Sequence, residues 1–144
     1  MKAREFIDRV EHTELAAGIR EAELRTSGEI RIFVSRDKVQ EPVTAAQACF
    51  TQLGMEKTRD RNAVLIFVAP LTQKFAIVGD AGIHERCGDL LWREIADAMA
   101  THFRKQEFTA GLLAAVRQTG EVLARHFPRK PDDKNELPDQ VVTG

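Results

Sequence analysis

Apolar positions repeat every three to four residues through most of the chain, alternate in one short stretch and run unbroken in two others. Phe6 and Val10 lie four apart, and Leu15, Ile19 and Ala22 continue at four and three, so the chain opens on helix. Glu11-His12-Thr13 marks a break, with Thr13 as the expected cap of the second piece. Thr26-Ser27-Gly28 ends it. In 29–35, Ile30, Ile32 and Val34 share one face, and Arg31 and Phe33 the other, which is a strand. Pro42 suits the first position of a helix striped by Ala46, Cys49, Phe50 and Leu53, and Gly54 stops it. The run 63–69 is apolar on both pleats, as in a central strand covered on both sides. Pro70 to Gln73 turn the chain into a third strand, 74–79. Residues 80–88 read as a loop or first helical turn. From Asp89 a helix is striped by Leu91, Ile95, Met99 and Phe103, with Trp92 off the stripe and assigned to a neighbouring surface. A last helix carries Phe108, Leu112, Val116, Leu123 and Phe127, and Pro128 ends it.

These elements predict one α/β domain over 1–128, built in three layers. Its small mixed sheet holds a parallel pair joined through a helix, plus a hairpin, with helices on both faces. Residues 129–144, with Pro131, Pro138 and mixed charge, read as a flexible tail. Its end, Asn135 to Val142, offers a short apolar patch able to dock as an added strand or to engage an unknown protein partner.

Topology brings three polar segments to one end of the sheet: 26–29 before the first strand, 58–62 before the second, and 79–84 after the third. That end gathers Glu29, Thr58, Arg61, Asn62, Asp80, Gly82 and His84. Glu29 and Asp80 are candidate ligands of a divalent cation, calcium or magnesium, because hard cations take oxygen ligands. Arg61, Asn62 and the start of the following helix are candidates to hold phosphate. A cation and a phosphate grip are the minimum for metal-assisted phosphoester hydrolysis, in which Glu29, Arg61 and Asp80 would be the catalytic set and Thr58, Asn62, Gly82 and His84 the binding set. The bland alternative is that the glycines serve turns, Asp80 caps a helix and Arg61 pairs with an acid. His84 is the one histidine placed to act as acid or base.

Composition narrows the field. The chain has 144 residues and a net charge of −1, and it shows no basic excess that would mark a nucleic-acid binder. Its longest apolar run is far short of the roughly twenty residues a bilayer needs. No signal core opens it, so membrane insertion is not expected and the expected location is cytoplasmic. Cys49 and Cys87 read as reduced thiols.

Thr26-Ser27-Gly28-Glu29-Ile30-Arg31, Leu53-Gly54-Met55 with Thr58 and Arg61 to Leu65, Phe75 to Ile83, the stretch 108–128 and Asn135-Glu136-Leu137-Pro138 resemble, in order, the TPM domain. The resemblance implies a compact, three-layer-like α/β sandwich of Rossmann-like appearance. It also implies either an acid-phosphatase activity with a divalent ion near acidic residues, or an auxiliary role in a larger complex without chemistry of its own. Glu29, Arg61, Asn62, Asp80 and Gly82 fall on the matching segments. Arg61-Asn62-Ala63 stands where many members carry Asp-Asn-Gly, and Gly79-Asp80-Ala81-Gly82-Ile83-His84-Glu85 where many carry Gly-Tyr-Gly-Leu-Glu, so acidic groups have moved or gone.

Overall fold

A computed structural model describes residues 1–129 and 141–144. The helices are α1 (Ala3–Arg9), α2 (His12–Glu23), α3 (Pro42–Gln52), α4 (Ala81–Arg104) and α5 (Phe108–His126). The strands are β1 (Glu29–Val34), β2 (Ala63–Ala69), β3 (Lys74–Gly79) and β4 (Val141–Thr143). A short 3₁₀ turn, Met55–Lys57, follows α3.

The sheet order is β3-β2-β1-β4. β1 and β2 run parallel with Glu29 opposite Ala63, and β2 and β3 form the antiparallel hairpin with Val64 opposite Gly79. The expected α/β class, parallel pair and hairpin are therefore all present. Connection length accounts for both pairings: a helical crossover permits parallel neighbours, and a four-residue turn does not.

β2 is buried along its whole length. Ile30, Ile32, Val34, Val64, Ile66 and Val68 face a large core closed by α1, α2, α4 and α5. Leu65, Phe67, Ala76 and Val78 face a smaller one closed by α3 and Met55. Phe6, Phe75, Phe103 and Phe108 lock the far end of the larger core, with ring centroids 5.0–5.7 Å apart. Edge-on and tilted contacts at such spacings favour the ring quadrupoles.

Three local expectations are corrected. The cap position of α2 is Glu11, not Thr13, which lies inside the helix. Residues 81–87 are helical, and the interruption falls at Gly88, whose φ of 75° and ψ of 176° suit glycine alone. The segment assigned to a flexible tail, 129–144, ends in the sheet: Val141–Thr143 pair in parallel with Ile32–Val34, and Gly144 N–H donates to Val34 O at 3.1 Å. The pairing spends the terminal apolar patch on this chain's own β1. Residues 130–140, including Asn135 to Pro138 of the expected docking patch, lie outside the described residues.

Candidate functional site

The three polar segments meet as topology requires. Glu29 starts β1 beside Ala63, and Asp80 N–H donates to Ala63 O at 2.9 Å from the other side. Glu29 and Asp80 thus flank Ala63, two strand spacings or about 10 Å apart at the backbone.

Each segment is built to pack against the next. Thr26 is fully buried and bridges to Pro128. Its hydroxyl donates to Phe127 O and accepts from Gly28 N–H at 3.0 Å. Gly28 is needed because a Cβ would lie 2.8 Å from a Leu123 methyl and 3.1 Å from Asn62 O. Asn62 Nδ2 donates to Ser27 Oγ at 3.1 Å, which ties the first segment to the second. Gly82 N–H donates to Arg61 O at 2.8 Å, which ties the second to the third. Arg61 adopts φ of 50°, left-handed for a non-glycine residue. That twist leaves its carbonyl on Gly82 while its side chain returns to Asp80.

Asp80 is the hub. Its carboxylate accepts from Arg61 Nε at 2.7 Å and from Arg61 Nη2 at 2.8 Å, a bidentate pair. Its Oδ1 also accepts from Ala81 N–H at 2.7 Å and caps α4. The Arg61 guanidinium is pushed above its ordinary value, first by the hydrogen bond to Asp80, then by that carboxylate's charge, with Glu56 adding to it. The opening N–H groups of α4 are all engaged. Gly82 bonds Arg61 O, and Ile83 and His84 both bond Asp80 O, at 3.1 and 2.8 Å. The first N–H groups of α4 thus each have an acceptor within the chain.

The other predicted residues are arranged less directly. Glu29 is 2 % exposed, on the same face of β1 as Arg31 and Phe33. Thr58 is buried, and its hydroxyl finds no hydrogen-bond partner among the described residues. His84 is half-exposed, with Nε2 3.4 Å from Asp89 Oδ1. A cation at Asp80 would share that carboxylate with Arg61 and the α4 cap. No group of three His, Cys, Asp or Glu side chains able to hold a metal occurs among the described residues.

Beside this network lies a groove of about 710 Å³, which the sequence reading missed. Val43, Gln47 and Phe50 of α3 form one wall, Trp92 and Ala96 of α4 the other, and β3 the floor. Arg61, Asp80 and His84 close one end. Its signal in sequence is Trp92, expected off the helix stripe and found buried on it with Ile95, Met99 and Phe103. The ring packs on Gly79, where a Cβ would lie 2.7 Å from Trp92 Cζ2.

The family model of the TPM domain matches residues 1–122. The chain belongs to the TPM-domain family. Among solved structures it is similar to the BA42 protein of the psychrophilic bacterium Bizionia argentinensis. Identity there is 34 %, 92 % of each chain is covered, and the TM-score is 0.84. The N-terminal domain of cg2496 from Corynebacterium glutamicum shares the fold at 18 % identity and TM-score 0.59, over 77 % of this chain and 70 % of that one. The N-terminal domain of a P. gingivalis protein does so at 21 % and 0.55, over 79 % and 76 %. No curated protein matches. This TPM domain has no helix, among the described residues, long and apolar enough to cross a membrane.

The cysteines take no part in the network. Burial pushes the Cys49 thiol up to about 11, against a lowering by Arg31, and burial also raises Cys87 against Arg125 and Arg86. At pH 8 the Cys49 thiolate fraction is then about 10⁻³. Iodoacetamide is expected to label half-exposed Cys87 first, and Cys49 at least about a hundredfold more slowly until denaturant is added. Mass spectrometry of timed digests reads this. The raised value also has a stability sign: the protonated thiol favours the fold below the ordinary value of 9.0, and that contribution is lost as pH rises through about 11. Urea midpoints measured at pH 8 and pH 11 should fall by less in Cys49→Ala than in the parent.

Proposed function

We propose that this TPM domain acts as a non-catalytic binding module for a larger complex. The observation that carries this reading is the closure of Asp80 on Arg61. Both carboxylate oxygens and two guanidinium nitrogens are spent on each other, and the same carboxylate caps α4. That pairing holds Asp80 back from acting as a general base or metal ligand, whereas three guanidinium N–H groups of Arg61 stay open to solvent. The polar network thus serves to pin three turns together, and the open groove beside it is the surface left for a partner.

The rival is a weak metal-dependent phosphomonoesterase, with Glu29 and Asp80 on calcium or magnesium and Arg61 with Asn62 on phosphate. The Arg61 side chain is 52 % exposed, which favours contact with an anion from solvent. Hydrolysis of p-nitrophenyl phosphate separates the two. The expected rate is the buffer rate with calcium, with magnesium and with chelator, in both the parent chain and Asp80→Asn. Metal-stimulated turnover in the parent that Asp80→Asn abolishes, in a variant that still melts cooperatively, would overturn the binding-module reading.

A further inference from the structure

We propose that the outer edge of β3 takes an extended segment of a partner protein, apolar in alternation and ending in a basic residue, as a fifth strand of the sheet. This rests on the binding-module reading and names its partner chemistry.

β3 is an edge strand. Asp80 N–H bonds Ala63 O, so the antiparallel alternation sends the backbone groups of Val78, Ala76 and Lys74 toward β2. Those of Phe75, Ile77 and Gly79 point outward. No described residue outside the hairpin bonds them. Donor and acceptor pairs at two-residue spacing are what an added strand recognises.

Depth selects the occupant. Ile77 is 4 % exposed although it lies on an edge, because α3 and α4 stand up on either side. A second copy presents β3 between the same two helices, so wall would meet wall before strand met strand. A solitary extended segment enters where a sheet cannot.

Charge selects its end. Glu56, Asp80 and Asp89 line the groove against Arg61 and Arg93. Asp80 and Arg61 answer each other, but one Glu56 oxygen is buried without a hydrogen-bond partner among the described residues. A lysine or arginine at the Gly79 end would satisfy it, and a phosphorylated side chain would be repelled. Trp92, 4 % exposed, has an indole N–H with no acceptor among the described residues, and its ring lies against Gly79. A carbonyl of the added strand supplies that acceptor.

The probe is an acetylated, amidated hexapeptide of alternating valine and threonine ending in lysine, titrated into the full chain. Trp92 is the single tryptophan, so its emission reports the groove. The expected result is a saturable emission change, with amide exchange at Phe75, Ile77 and Gly79 slowed about tenfold or more and Ile32 to Val34 unchanged. N-methylation of the peptide amides that face β3 should weaken binding about tenfold, as should Val43→Asp in the groove wall. Val43 is 54 % exposed, so the fold tolerates that change. Absence of saturable binding overturns the inference. So does binding that N-methylation leaves intact, or slowed β3 exchange without peptide in a chain that sediments as a dimer. Binding that protects β1 instead of β3 overturns the groove alone and leaves the binding-module reading standing.

Discussion

Gly82→Val is expected to lower the melting temperature by roughly 10 °C, through a loss of about 3 kcal/mol that corresponds to such a shift in a chain of this size. A Cβ on Gly82 would lie 2.6 Å from Arg61 O and would also crowd Asp60 O. Both obstacles are backbone, and Arg61 is already held at a positive φ by its bond to Gly82 N–H. The turn cannot yield without breaking that bond and pulling Arg61 off Asp80. Gly18→Ala makes the useful contrast. There the Cβ would meet a Leu113 methyl at 2.8 Å, the far end of a flexible side chain, and a helix interior gains from losing glycine. Its melting temperature should move by no more than a few degrees. Thermal unfolding followed by circular dichroism reads both. Equal shifts would mean that the Gly82 approach is not the constraint that pins the second segment to the third.

The convergence of the three segments was legible because it depends on strand direction alone. A helix-length connection between β1 and β2 and a tight turn between β2 and β3 decide which ends meet. The use made of the gathered side chains was not legible. Asp80 next to Arg61 and a helix start reads equally as an anion site or as a closed cap. Sequence gives no sign of the torsion at Arg61 that accompanies the return of its guanidinium to Asp80. Torsions of this kind come from tertiary contact, here the Gly82 bond, and leave no trace in periodicity. The tail failed for a related reason. Pro131, Pro138 and mixed charge speak of local order, whereas Val141–Thr143 are ordered by the open edge of β1. Trp92, expected off the stripe, is core-facing with Ile95, Met99 and Phe103 at spacings of three and four, and its indole also packs over Gly79. The groove thus follows from an edge strand flanked by helices, and the identity of the edge strand is a property of the whole sheet.

Ile66→Ala should destabilise the domain by about 4 kcal/mol, and Leu65→Ala by about 3, although both side chains are fully buried neighbours on one strand. The lost transfer free energy is similar in the two cases. The difference lies in the cavity left behind, whose cost falls wherever the surroundings can close in. Ile66 points into the core held by α1, α2, α4 and α5, where β1 on one side and Ile77 on the other leave little freedom to move. Leu65 points toward α3, a single helix held through Ala46, Cys49 and Phe50 and bordered by the open groove. That helix can settle toward the sheet and recover part of the lost contact. Urea denaturation with unchanged slopes would give the two values on one scale. If α3 does settle, Leu65→Ala should also narrow the groove and weaken hexapeptide binding, while Ile66→Ala leaves that affinity near the parent's at temperatures where it stays folded. Leu65→Ala as costly as Ile66→Ala would show that α3 is fixed as firmly as the opposite layer, and the groove would then be a rigid slot with its width set before any partner arrives.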